Sequence, residues 1–211
     1  VGRRHPAVLE EKLRGVGGAT FSSIAASDWV DTPLPISATG DGFLDIVATN
    51  SGGGTVRLMK NAGTGHFTSN TPNNFSSGAG ATGISATPPL NGDYLGAPDY
   101  NIDASTDLNG QPAVFGPDIV AANSTADTVS VLFGNSTGTG TGQFSGAVTY
   151  SVGDTPLQTV LADVDNDNDV DILTVNFGSG DVTVLFNNGL GLFTTSTTVV
   201  TGAGARSIVV G

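Results

Sequence analysis

The sequence predicts an all-β protein built from repeated units of short antiparallel strands. Three observations carry that prediction. Glycine makes up 31 of the 211 residues, roughly twice its usual share, and Ser, Thr and Asn are plentiful beside it. Charged residues are only 12% against 38% hydrophobic. A helical bundle needs Glu, Lys, Leu and Ala in bulk, and a disordered chain lacks this much apolar residue. The apolar residues also fall into β-branched runs that recur along the chain. The glycines show no three-residue period, which excludes collagen.

Three segments align. The first holds DIVATN (Asp45 to Asn50), TVRLMKN (Thr55 to Asn61) and Gly65-His66-Phe67. The second holds DIVAAN (Asp118 to Asn123), TVSVLFGN (Thr128 to Asn135) and Gly142-Gln143-Phe144. The third holds DILTVN (Asp171 to Asn176), DVTVLFNN (Asp181 to Asn188) and Gly191-Leu192-Phe193. Val129, Val131 and Phe133 alternate with Ser130 and Leu132, and Val182, Val184 and Phe186 repeat the alternation between Gly and Asn turns, which reads as strand. Gln158 to Ala162 makes a strand before the third unit, and Leu192 to Val200 makes one after it. Four short strands in about 50 residues is the pattern of a propeller blade. The expected organisation is an arm at 1–17, blade 1 at 18–70, blade 2 at 71–149, blade 3 at 150–200, and the first strand of an incomplete blade at 201–211. Residues 71–117 read as a decorated loop inserted in blade 2. Residues 5–14 read as the one plausible helix, with Pro6 near its start.

The charge is lopsided, with 7 Lys+Arg against 19 Asp+Glu and a formal net charge of −12. Such a surface repels phosphate, so nucleic acid and anionic membranes are poor partners; neither nucleic-acid binding nor membrane insertion is expected. There is no cysteine, hence no disulfide, thiolate metal site or thiol nucleophile. No run of apolar residues is long enough to insert in a membrane as a helix. No leader is visible, and the chain reads as a mature form or a piece of a longer one.

Residues 163–171 read Asp-Val-Asp-Asn-Asp-Asn-Asp-Val-Asp. Asp163, Asp165, Asp167, Asp169 and Asp171 thus alternate through nine residues. A pair of carboxylates ~6 Å apart in water repels by ~0.7 kcal/mol. Hard oxygen donors at positions 1, 3, 5 and 9 suit Ca²⁺, which takes six to eight oxygens. An EF-hand does not fit, because its twelfth position would be Thr174 and the flanks are strands. The plain alternative is a solvated acidic turn.

The loop and its flanking strands resemble the FG-GAP repeat, called the VCBS repeat in bacterial proteins. That family builds the calcium-binding propeller of integrin α subunits and of several lectins. Its loop, Asp-x-Asp-x-Asp-Gly-x-x-Asp, lies between the first two strands of a blade. The resemblance implies side-chain oxygens from Asp163, Asp165, Asp167 and Asp171 and a backbone carbonyl from Asp169. Asn168 stands at the family's glycine and tolerates the left-handed conformation. In the first unit Asp41-Gly42-Phe43-Leu44-Asp45 matches the second half of the loop, giving a second, less complete site at Asp41 and Asp45. In the second unit Asp107-Leu108-Asn109-Gly110 matches the beginning.

Other motifs carry less. Gly134-Asn135-Ser136-Thr137-Gly138 fits G-x-S-x-G, but a turn follows it instead of the required helix. Gly78 to Gly83 fits G-x-G-x-x-G without a strand before it, and Pro88-Pro89 oppose a long helix after it. So acidic a chain could supply paired carboxylates for glycoside cleavage, but its dense Asp cluster is already accounted for by the calcium loop and there is no Glu after Glu11. The expected activity is therefore not enzymatic, and no catalytic residue is assigned. Trp29, Tyr94 and Tyr100 lie in irregular segments, where they either pack under loops or stack on sugars as in the related lectins. Asn74, Asn123 and Asn135 stand in glycosylation sequons.

Closed propellers typically have four to eight blades, and three are present here. Residues 205–211 (ARSIVVG) align with the first strand of a further blade. The expectation is an open or incomplete propeller that self-associates as a filament or ring. As a whole the chain reads as an extracellular, secreted or cell-surface, calcium-binding structural or adhesive protein. A lectin with a glycan or cell-surface ligand is the first rival, and a fragment of a larger secreted propeller or hydrolase the second.

Overall fold

A computed structural model describes residues 21–27, 45–61, 66–68, 74–86, 102, 118–135, 143–144 and 146–211. They form three principal antiparallel sheets and contain no helix. In sheet 1, β1 (Phe21–Ser27), β2 (Asp45–Asn50) and β3 (Thr55–Asn61) lie side by side, and β4 (Phe67–Thr68) and β5 (Asn74–Ser76) both pair with β3. Sheet 2 begins with β6 (Ala81–Ala86), β7 (Ile119–Asn123) and β8 (Thr128–Leu132). A small hairpin of β9 (Gly134–Asn135) and β10 (Gln143–Phe144) follows, and β11 (Val148–Ser151) returns to pair with β8. Sheet 3 is β12 (Pro156–Ala162), β13 (Asp171–Asn176), β14 (Asp181–Phe186) and β15 (Thr195–Val200), in that order.

The registers make the three sheets equivalent residue by residue. Asn50 faces Thr55, Asn123 faces Thr128 and Asn176 faces Asp181 across four-residue turns. Asp45, Asp118 and Asp171 consequently hold one position at the head of the second strand. The residue before each third strand, Gly54, Asp127 or Gly180, takes a positive φ of 58°, 53° or 69°, the left-handed state that tight hairpins demand.

The first strands of the sheets lie next to one another, β1 beside β6 and β6 beside β12. β6 and β12 are joined through side chains rather than through a β ladder. The Thr82 hydroxyl donates to the Pro156 carbonyl at 3.0 Å, and the Ser85 hydroxyl donates to the Thr159 carbonyl. The approach is close: a Cβ on Gly83 would lie 2.4 Å from the Leu157 carbonyl oxygen.

This proximity accounts for two differences from the sequence reading. Residues 71–117 are not one continuous loop. They contain β5, which completes sheet 1, and β6, which opens sheet 2. The first unit therefore extends past residue 70 to Ser76, and the second begins at Ala81. β6 (ATGISA) carries no bulky apolar run: Ile84 alone fills the core, while the close approach to β12 leaves Thr82, Gly83 and Ser85 hydroxylated or small.

Packing between sheets repeats as well. Val47, Val56 and Leu58 of sheet 1 bury against Ile119, Ala121 and Leu132 of sheet 2, with Ile84 between them. Val120, Val129 and Val131 of sheet 2 bury against Ile172, Leu185 and Phe193 on the sheet 3 side. The middle strands are enclosed on both faces, so β7 and β13 are buried at every residue and read as continuous apolar runs. The outermost strand β15 is exposed throughout.

The segment after β15 repeats the turn that leads into β6. Gly202 donates to the Gly180 carbonyl as Gly78 does to Gly54, and Gly204 has a positive φ like Gly80 and Thr155. Ala205 thus stands at the position of Ala81 and Pro156. Ala205 and Ile208 pack on Leu173, Val175, Val182 and Val184 of sheet 3. Residues 201–211 form no β ladder. Arg206 stacks over Phe177 at 4.4 Å and anchors the segment. No helix among the described residues is long and apolar enough to cross a membrane. The expected helix at 5–14, Asp41, Trp29, Tyr94 and Tyr100 lie outside the described residues.

Candidate metal centre

The acidic loop joins β12 to β13. It turns back sharply through two left-handed asparagines, Asn166 (φ 63°) and Asn168 (φ 73°), a state that Asn adopts more readily than most residues. Asp163 organises the turn from inside. One of its carboxylate oxygens accepts the Asn166 N–H at 2.7 Å and the other accepts the Asn168 N–H at 3.1 Å. Asp171, the first residue of β13, is fully buried. Its carboxylate accepts the Val164 N–H at 3.1 Å and the Asn187 N–H at 2.9 Å.

These bonds bring Asp163, Asp165 and Asp171 together, with one carboxylate oxygen of each within 4.8 Å of the others. Asp167 and Asp169 stand apart from this trio. An Asp167 oxygen accepts the Asp169 N–H at 2.9 Å. The Asp169 carboxylate lies against Gly189, where a Cβ would sit 2.7 Å from its Oδ2.

Burial pushes the Asp171 carboxyl above its ordinary value. The two N–H donors counteract that rise, and the charges of Asp165 and Asp167 add to it. The sequence has no lysine or arginine between Lys60 and Arg206 to neutralise the loop. The donor set is all oxygen, convergent and uncompensated, which fits a hard cation such as Ca²⁺. Asp163, Asp165 and Asp171 would hold it.

Asp118 reproduces the surroundings of Asp171 one unit earlier. It is fully buried, and its carboxylate accepts the Ile102 N–H at 3.0 Å and the Gly134 N–H at 2.8 Å. Ile102 thus takes the place of Val164, and Gly134 that of Asn187. Ile102 lies ahead of Asp107, where the sequence places the beginning of the second unit's loop; residues 103–117 lie outside the described residues. The signal was present in Asn101-Ile102-Asp103, which parallels Asp163-Val164-Asp165. In the first unit Asp45 holds the corresponding backbone position at the start of β2.

Residues 38–95 match the family model described as FG-GAP-like repeat. That segment is similar to an FG-GAP-like repeat. The matched span takes in Asp41, Asp45 and strands β2 to β6. The register of β2 on β3 recurs in sheets 2 and 3. Comparison with curated proteins and with solved structures returned no match.

The glycine-rich run Gly78–Gly83 of the FG-GAP-like unit enters β6, a strand where a dinucleotide site would need a helix. Asn123, one of the three sequon asparagines, is fully buried. Its side-chain nitrogen donates to the Thr128 and Ser130 hydroxyls at 3.1 and 2.8 Å. A glycan there would require the hairpin to open, whereas Asn74 is exposed.

Proposed function

We propose that this chain is a non-enzymatic, calcium-binding repeat protein of β-propeller type that serves outside the cell as a structural or adhesive module. The observation that carries the reading is the convergence of Asp163, Asp165 and Asp171 with no basic side chain nearby in sequence. Bound Ca²⁺ would supply charge neutralisation and a crosslink, tying the β12–β13 turn to the buried head of β13. The chain's own groups prepare that place. Asp163 shapes the turn, and Val164 and Asn187 orient Asp171 by their N–H bonds. Two of the three carboxylates are at least partly exposed, which suits the weak sites of extracellular modules, matched to calcium near 10⁻⁴–10⁻³ M.

Self-association belongs to the same proposal. Sheets 1 and 2 are each covered by a following sheet, whereas among the described residues the equivalent face of sheet 3 meets Ala205 and Ile208 alone from beyond β15. Leu173, Val182 and Val184 are 7–9% exposed, while their counterparts Val120, Val129 and Val131 are at 0%. A blade-like sheet of a second copy is the proposed occupant.

Calorimetric titration with CaCl₂ and sedimentation in calcium and in chelator test the two halves. Uptake of Ca²⁺ that is lost in Asp163→Ala, and an assembly larger than one chain, are the expected results. A chain that takes up no heat with millimolar Ca²⁺ sinks the cation reading. A compact monomer at every concentration sinks the assembly reading.

A further inference from the structure

Asn187, immediately after β14, reaches across the boundary between the second and third units. It is 6% exposed, and its backbone N–H and both ends of its side-chain amide are hydrogen-bonded. Its N–H donates to the Asp171 carboxylate at 2.9 Å. Its side-chain nitrogen donates to the Val170 carbonyl at 3.1 Å and to the Ile102 carbonyl at 2.8 Å. Its side-chain oxygen accepts the Gly189 and Gly191 N–H groups at 3.2 and 3.1 Å.

Ile102 belongs to the second unit, and its own N–H is bound to the Asp118 carboxylate at 3.0 Å. A continuous run of hydrogen bonds therefore joins the two equivalent aspartates: Asp118 to Ile102, Ile102 to Asn187, Asn187 to Asp171. The apolar contacts follow the same route, because the Ile102 side chain is fully buried with Ile172, Leu185 and Phe193. In the second unit the corresponding position is Gly134, which offers Asp118 its N–H but has no side chain with which to extend the link.

We propose that Asn187 is a positioning residue that couples the Asp163–Asp171 cation site to the docking of the Ile102 segment from the preceding unit. The proposal rests on the cation reading above. A carboxylate held by a fixed donor is oriented before the cation arrives, and outer partners of this kind commonly set affinity by 10–100-fold. Coupling is reciprocal. Cation binding at Asp171 fixes Asn187, and a fixed Asn187 holds the Ile102 carbonyl more firmly.

The test uses the intact chain, wild type and Asn187→Ala, with CaCl₂ titration by calorimetry and amide hydrogen exchange at Ile102 with calcium and with chelator. The expected result is about a tenfold loss of Ca²⁺ affinity in the variant, together with loss of the calcium-dependent slowing at Ile102. Wild-type affinity in Asn187→Ala, or calcium-dependent slowing at Ile102 that survives the substitution, overturns the coupling. A wild-type chain that takes up no Ca²⁺ overturns the cation reading instead. The link is then judged in chelator: faster Ile102 exchange in the variant sustains it, and equal exchange ends it. If Asn187→Ala does not fold, Asn187→Gly, which installs the residue the second unit uses, serves for the same measurements.

Discussion

Asp165→Asn removes one negative charge and keeps a side-chain oxygen in the same place. The nearest carboxylate oxygens of Asp163, Asp165 and Asp171 lie within 4.8 Å of one another, and one pair at that distance repels by about 0.9 kcal/mol at the dielectric of water. The exposure of Asp165 makes the high dielectric the appropriate one. Asp165 takes part in two of the three pairs, and physiological salt, with a Debye length of ~8 Å, screens roughly half of the sum. About 1 kcal/mol of repulsion leaves with the charge, or roughly 2–4 °C in melting temperature for a chain of this size. In chelator the variant should therefore melt above the wild type. In about 10 mM Ca²⁺ the order should invert, because a ligand at roughly 10–100 times its Kd adds about 1.4–2.7 kcal/mol to the wild type and less to a site short of one charge. Differential scanning calorimetry in both conditions reads the crossing. A variant that melts below the wild type in chelator, or an order that is the same in both buffers, refutes the electrostatic account of the loop.

Two further substitutions probe the frame that holds the site. Gly83→Ala places a methyl group 2.4 Å from the Leu157 carbonyl oxygen, so β6 and β12 must separate; a loss of about 1–3 kcal/mol in urea unfolding is expected, and an unchanged midpoint speaks against the close approach. Ile172→Ala empties a fully buried position between sheets 2 and 3 and should cost about 2–5 kcal/mol. That loss should appear in one transition seen alike by fluorescence and circular dichroism, whereas separate transitions would mean that the sheets unfold independently.

The parts of the fold legible in the sequence are those where side chains alone decide the structure. DIVAAN and DILTVN are buried on both faces, so their apolar content announces them. Val129, Val131, Val182 and Val184 line one face of their strands, so alternation does the same. The acidic loop was legible because no ordinary turn gathers five aspartates. β5 and β6 were missed because their residues are chosen by neighbours far along the chain. Gly83 is small because Leu157 lies against it, and Thr82 and Ser85 are hydroxylated because the Pro156 and Thr159 carbonyls await them. A recurrence could have revealed β6, since Gly78-Ala79-Gly80-Ala81 returns as Gly202-Ala203-Gly204-Ala205. Within the site, Asp163, Asp165 and Asp171 converge as the spacing implies. The Asp167 carboxylate instead accepts the Asp169 N–H of the loop's own backbone, and of Asp169 the resemblance implies only a backbone carbonyl. Asn187 carried no signal, because its role depends on Ile102, 85 residues away.

The repeated fit of Val47, Val56 and Leu58 against Ile119 and Leu132, and of Val120, Val129 and Val131 against Ile172 and Leu185, bears on how such a gene changes. Each unit presents one kind of face and receives the other, so neighbours recognise a type of surface and not an individual. A duplication or loss of one whole unit by recombination restores the same contact at the new junction. A cut within a unit strands half of it. Unit number is then free to drift while unit boundaries are not, and selection on reach or valency can act on the count without rebuilding any core.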